Sequence, residues 1–177
     1  MNIGVDFDNV INNFNDVVRP FIKRKIGFDS DPNSYELFPK EYTDKKKQEF
    51  FVEHLKYMHE HTQPQHNVVE ILDYLLENHK IYIITARTYQ WGKDTKSWLD
   101  QHNINYTELL FHCGNKVEVS KYLDLDIVVD DSPYNLLAMA QEKIPTITFD
   151  YPYNKNIYST EYRSDNWVDI YSFLTSR

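Results

Sequence analysis

A chain of 177 residues, 41% hydrophobic and 26% charged, has the size and balance of one soluble globular domain with room for a small insertion. Its 19 basic and 27 acidic residues leave a net charge of -8, a poor endowment for a general binder of duplex nucleic acid and a better one for small or metal-bridged ligands. No apolar run approaches the ~20 residues of a transmembrane helix, and a lone cysteine, Cys113, rules out an intramolecular disulfide framework. With no secretory signal in the sequence, the expected compartment is the cytoplasm.

In chain order, Asn2 to Phe7 is predicted to form a short buried strand, and Val10 to Lys25 a helix with Val10, Phe14, Val17, Val18, Phe21 and Ile22 at helical spacing. Residues Gly27 to Pro39 interrupt the pattern, and a second helix is expected from about Asp44 to Glu60. Beyond a break at Gln63 to His66 the alternation becomes regular. A helix around Val68 to Leu76 precedes an apolar strand, Ile81 to Ile84, that ends at Thr85. A helix at Asp94 to His102, a weak strand at Leu109 to Phe111 and a short helix at Val117 to Leu123 follow. Ile127 to Val129 forms a strand stopped by Asp130 and Asp131, Pro133 to Glu142 a proline-opened helix, Thr146 to Phe149 a strand, and Trp167 to Leu174 a closing helix. Alternating helices and continuously apolar strands predict an α/β fold, a doubly wound parallel sheet covered on both faces. The helical stretch after the first strand has no strand partner and is therefore expected to be a cap at residues 13–65, with 1–12 and 66–177 forming the core.

In such a sheet, ligands bind at the carboxyl ends of the strands. Three strands end there in polar groups: Asp6-Phe7-Asp8, Thr85-Ala86-Arg87, and Asp130-Asp131-Ser132. Taken singly, each is as well explained by a helix cap or a solvated turn. Four carboxylates converging on one edge would repel one another strongly unless a cation held them, and oxygen-only ligands suit a hard divalent ion such as Mg2+.

These residues resemble the motifs of the haloacid dehalogenase-like phosphohydrolases. Asp6-Phe7-Asp8-Asn9-Val10 matches the first motif, the strand ending in Thr85 the second, Lys116 the third and Asp130-Asp131 the fourth. Phe14 after the first motif, the helical cap, and Val129-Asp130-Asp131-Ser132-Pro133 are similar to the 5'(3')-deoxyribonucleotidase branch. The resemblance covers residues 3 to about 155 and implies a Rossmann-like core. It also implies a Mg2+-dependent phosphomonoesterase acting on a small phosphate ester, a nucleoside monophosphate in that branch. Asp6 would attack phosphorus and form an aspartyl-phosphate, and Asp8 would be the acid and base. Asp6, the Asp8 carbonyl and Asp131 would hold the metal, with Asp130 acting through water. Thr85, the N–H groups of Ala86 and Asn9, and Lys116 would bind the phosphoryl oxygens.

Two departures stand out: Asn9 replaces the usual glycine, and Ala86-Arg87 replaces the serine-proline that often follows the threonine. Lys121 competes with Lys116 for the third motif. Phe14 either stacks on a base or packs against the other apolar residues of its helix; Tyr35 to Phe38 and Trp91 carry the same two readings. Lys45-Lys46-Lys47 is expected to be a solvated helix face. Tyr151-Pro152-Tyr153-Asn154 is a loop expected to pack near the site without a catalytic role, and His54, His59 and His61 lack the partners of a zinc site. Rival readings are a phosphoacceptor receiver module, whose acceptor would follow a middle strand, a nucleic-acid end phosphatase, which would need a basic groove, and a silent binding protein. Homodimerisation is left open.

Overall fold

A computed structural model describes residues 1–177. Six parallel strands form one sheet: β1 (Asn2–Val5), β2 (Lys80–Ile84), β3 (Glu108–Leu110), β4 (Ile127–Asp130), β5 (Thr146–Phe149) and β6 (Tyr162–Ser164). Their spatial order, β3-β2-β1-β4-β5-β6, runs one way from β1 to β3 and the other way from β4 to β6. The reversal lies between β1 and β4, the place where a doubly wound sheet opens a crevice at its carboxyl edge. Register fixes what meets there. Val5 is level with both Ile83 and Val129, so Asp6 emerges beside Ile84-Thr85 on one side and Asp130-Asp131 on the other.

The crossover helices are α4 (Val68–Leu76), α5 (Tyr89–Gln101), α6 (Lys116–Tyr122) and α7 (Pro133–Gln141), and α8 (Trp167–Thr175) closes the chain. β1 and β4 are buried because helices cover both faces: Ile3, Val5, Ile81, Ile83, Ile127 and Val129 pack on one side with α4 and α8, and Tyr82, Ile84, Val128 and Met139 on the other. Gly4 permits that second layer, since a Cβ there would lie 2.7 Å from Leu125 Cδ1. Two buried tryptophans tie the segment after β1 to the core. Trp98 donates to the Thr62 carbonyl (3.3 Å) and meets Phe7 edge-on, while Trp167 donates to the Val10 carbonyl (2.9 Å).

Between β1 and α4 lie α1 (Phe14–Ile26), α2 (Asp44–Glu53) and α3 (Leu55–His61), which share a separate hydrophobic cluster of Phe14, Val18, Phe21, Ile22, Phe38, Phe50 and Met58. Several predicted boundaries move. The first helix begins at Phe14 instead of Val10 because residues 7–13 form an asparagine-rich turn. Asn9 sits at φ 65°, Asn12 Oδ1 accepts the N–H groups of Asn9 and Phe14, and Asn9 Oδ1 accepts that of Asn15. Val10 and Ile11 thereby turn into the main core, so the helical spacing of Val10 is coincidental. The helix expected over 44–60 breaks at His54, and α5 starts five residues earlier than Asp94. β6 was not foreseen, being a three-residue edge strand without an apolar run.

Candidate active site

Each acidic residue reaches the crevice by a local device. Asp6 follows the last residue of β1, its N–H donating to the Val129 carbonyl at 2.9 Å, so the neighbouring strand fixes its backbone. Asp130 ends β4, and Ser132 caps α7 with Pro133 in the first helical position. Asn115 caps α6, which makes Lys116 the first residue of that helix instead of a loop residue before it.

Lys116 is buried between two carboxylates, its Nζ 2.6 Å from Asp6 Oδ1 and 2.8 Å from Asp130 Oδ2. Burial alone would lower its pKa, but Asp130 and Asp6 outweigh that and hold it above the usual lysine value. Lys121 is elsewhere, paired with Glu142 on the surface at 2.6 Å. Burial raises the Asp6 carboxyl to about 7, Lys116 pulling against it and Asp130 adding to it. Asp131 is raised well above the carboxylate range, by burial first and then by Asp6 and Asp130.

Three buried carboxylates, those of Asp6, Asp130 and Asp131, have oxygens within 4.8 Å of one another. One lysine cannot neutralise them all, and an oxygen-only set of this compactness fits a hard divalent cation. Within that set Asp130 is already occupied. Its Oδ1 accepts from the Ser132 N–H (2.8 Å), its Oδ2 from Lys116, and both from Asn135 Nδ2 (3.2 and 3.0 Å).

Asp8 stands at the rim and is held by a residue that sequence reasoning treated only as a departure. Arg87 Nε donates to Asp8 Oδ2 (2.9 Å) and its terminal nitrogen to Oδ1 (2.7 Å), with a third bond to Thr95 Oγ1 (3.1 Å). The guanidinium also lies over the rings of Phe7, Trp91 and Phe14, 4.5, 5.1 and 5.5 Å from their centroids. Asp8 and Arg87 are 79 positions apart. The only local signal is that Arg87 follows a motif threonine by two residues.

Thr85 is buried at the end of β2 with its Oγ1 accepting the Arg87 N–H (3.2 Å), and Ala86 is exposed beside it. Asn9 departs from expectation. Its backbone N–H, expected to face phosphate, goes instead to Asn12 Oδ1 (3.2 Å), and one hydrogen of its Nδ2 goes to Asp131 Oδ2 (3.0 Å), so in this arrangement it serves the turn and a carboxylate.

Two adjoining cavities open over the acids. One, of about 310 Å³, is bounded by Asp6, Asp8, Asp131, Phe14, Tyr35 and Lys47 among others. The second, of about 250 Å³, is an aromatic slot of Phe14, Leu37, Phe51 and Trp91 with Arg87, Asp8 and Gln48. Phe14 belongs to the hydrophobic cluster of the insertion and also walls both cavities. Lys47 leaves the expected solvated face and borders the first cavity, 3.4 Å from Glu36 Oε2. From the loop beyond β5, Tyr153 donates its hydroxyl to Asp131 Oδ2, a contact no sequence pattern announced.

The chain matches, over residues 1–177, the family described as 5' nucleotidase, deoxy (pyrimidine), cytosolic type C protein (NT5C). It is 35% identical over 108 residues to the provisionally named nucleotidase YqfW of Bacillus subtilis, a stretch covering 59% of this chain and 56% of that one. Thus the match spans little more than half of that relative. A nucleotidase of Clostridium acetobutylicum is 24% identical over 180 residues, 98% of this chain and 93% of that one. Among solved structures, a haloacid dehalogenase-like family hydrolase from Streptococcus pneumoniae superposes with a TM-score of 0.69 at 13% identity, covering 97% of each chain, a likeness of fold.

Proposed function

From the premise that the chain belongs to the NT5C nucleotidase family, we propose that it is a Mg2+-dependent phosphomonoesterase that hydrolyses nucleoside monophosphates through an aspartyl-phosphate. The observation that carries this reading is the placement of Asp6. Its carboxylate lies against Lys116, beside Asp131, at the floor of a cavity that continues into an aromatic slot.

Asp6 attacks phosphorus and the ester oxygen leaves, which divides one hydrolysis into two displacements. Asp8 lines both cavities, so it borders the phosphoryl group on one side and the leaving group on the other, the station of an acid that protonates the ester oxygen and then deprotonates water. Thr85 Oγ1 and the Ala86 N–H bind phosphoryl oxygens, and Lys116 offsets their charge. Asp6, the Asp8 carbonyl and Asp131 would hold the magnesium ion, while Asp130, with both oxygens engaged, would act through water. When bound, the ion neutralises charge between nucleophile and anion and polarises the phosphoryl group. In this division of labour, residues 1–12 and 66–177 do the chemistry, and 13–65, together with Arg87 and Trp91 of the core, select the leaving group. The slot's rings offer faces to a nucleobase.

A phosphate-release screen tests the proposal, using 5'- and 3'-nucleoside monophosphates, sugar phosphates and phosphorylated DNA ends, each with Mg2+ and with excess EDTA. Release from nucleoside monophosphates, deoxy forms foremost, and only with Mg2+ is expected. Turnover that persists in EDTA, or a preference for sugar phosphates or DNA ends, overturns the corresponding part.

A further inference from the structure

The two oxygens of Asp131 have different surroundings. Oδ2 accepts two hydrogen bonds, from the Tyr153 hydroxyl and from Asn9 Nδ2, whereas Oδ1 has no protein donor. Both donors come from outside β4, the strand that Asp131 follows. Asn9 lies in the turn after β1, and Tyr153 in the 3-10 turn Pro152–Asn154 beyond β5.

That turn is built rigidly. Asn154, fully buried, donates to the backbone carbonyls of Asp131 (2.8 Å) and Phe149 (2.9 Å), and its side-chain oxygen accepts the Tyr151 N–H (3.0 Å). Tyr153 stacks on Tyr151 at 5.2 Å with ring planes 5° apart, and Tyr35 of the helical insertion meets Tyr153 edge-on at 5.5 Å. A rigid carboxylate with one oxygen saturated and the other bare is prepared for a single metal bond at the bare oxygen, in the way that partners behind a metal ligand fix its orientation.

We propose that Tyr153, with Asn9, is a positioning residue for metal binding, holding Asp131 Oδ2 so that Oδ1 is presented to the divalent cation. The inference rests on the reading of this site as a magnesium site. It also gives Asn9 a purpose that glycine in that position could not serve, because only a side chain reaches Asp131 from the turn. At φ 65° the backbone suits glycine as well as asparagine, so Asn9→Gly removes the donor without backbone strain; it also removes the Oδ1 that accepts the Asn15 N–H, a loss that its melting temperature in EDTA reads separately.

The test is calorimetric titration of Mg2+ into the metal-free full chain and into Tyr153→Phe and Asn9→Gly, with melting temperatures recorded in EDTA. Tyr153→Phe should bind Mg2+ at least ~10-fold more weakly, within the range typical for loss of such a partner, while melting in EDTA as the parent does. At saturating Mg2+ its kcat should return towards the parental value, since the defect lies in holding the ion. Tyr151→Phe, whose hydroxyl donates to the Asn9 carbonyl at 2.9 Å instead of to the carboxylate, should change Mg2+ affinity by less than about threefold. If Tyr153→Phe does not fold, Asn9→Gly decides, with at least ~5-fold weaker binding expected. Affinity within threefold of the parent in Tyr153→Phe, or in Asn9→Gly where that variant decides, overturns the inference. A parent chain that binds no Mg2+ overturns instead the magnesium reading on which it rests.

Discussion

The acidic crevice and the aromatic slot share a wall, yet they are determined in different ways. In the crevice, Asp6, Lys116, Asp130 and Asp131 are buried ionisable groups, and each must find partners at a fixed distance because an unpaired buried charge costs several kcal/mol. Parallel register and helix caps place them. In the slot, Phe14, Phe51 and Trp91 are held by ring contacts whose geometry is tolerant, such as Phe51 tilted at 48° to Phe14 and at 75° to Trp91. Crevice substitutions should therefore affect every substrate alike, and slot substitutions only those whose leaving group carries a nucleobase into the slot.

The largest effect is expected at the nucleophile. Asp6→Asn keeps the shape and removes the attacking oxyanion, so turnover of nucleotide and of p-nitrophenyl phosphate alike should fall by at least ~1,000-fold. Beryllium fluoride should label Asp6 in the parent and nothing in the variant. Parental turnover by Asp6→Asn would remove the crevice from the chemistry.

Lys116→Met comes next. It withdraws the cation shared by Asp6 and Asp130 and leaves both buried, with an expected loss of about 3–5 kcal/mol in EDTA at neutral pH, read from urea denaturation. Lys121→Met, which breaks only an exposed pair with Glu142, should lose less than about 1 kcal/mol. Equal losses would mean that the two lysines are interchangeable and that the crevice is not charge-determined.

That pair of lysines marks how far the sequence could be read. Asp6, Asp8, Thr85, Asp130 and Asp131 were legible because each follows an apolar strand, and strand ends in a doubly wound sheet meet along one edge. Distances in space were not. Arg87 comes back onto Asp8 across 79 residues, and Tyr153 onto Asp131 from a loop after another strand. The asparagine turn of residues 9–13 was masked by the apolar spacing of Val10 and Phe14, where satisfaction of backbone N–H groups by Asn9 and Asn12 overrides helical periodicity. β6 pairs only with β5, and so short an edge carries almost no pattern.

The crevice also predicts a pH response that the slot lacks. Asp6 is raised to about 7, and Asp131 lies well above the carboxylate range, so the metal-free folded chain holds more protons than the unfolded chain between about pH 4 and 7. Stability must then fall as pH rises through that window, because the folded state alone has to give up protons that burial favours. Lys116, raised above the usual lysine value, stays charged throughout and does not reverse the slope. Urea midpoints in EDTA should therefore be lower at pH 7.5 than at pH 5.5 by an amount equivalent to a few kcal/mol, and saturating Mg2+ should narrow the gap. A rise with pH in EDTA would contradict the proton-holding crevice.

The smallest effect is expected in the slot, and it discriminates best between the two regions. Phe14 is a blunt probe there, for it is buried with Val18 and Phe21 in the insertion's cluster, and its truncation to alanine should cost about 3–5 kcal/mol of stability whatever it does to substrate. Phe51 is half-buried, lines both cavities and lies 5.2 Å from Trp91 and 5.8 Å from Phe14. Phe51→Leu keeps an apolar wall and removes the π face, so the expected stability loss is only about 1 kcal/mol. A stacked base is worth about 1–3 kcal/mol, which sets an increase in KM for a nucleoside monophosphate of roughly 5- to 150-fold, with the lower end expected because leucine retains part of the contact. For p-nitrophenyl phosphate, whose small ring need not reach the slot, kcat/KM should change by less than about twofold. Steady-state kinetics on the two substrates side by side measure the split. An equal loss on both would show that Phe51 only supports the packing of the insertion, and the division between a crevice that performs the chemistry and a slot that chooses the leaving group would fail at the slot.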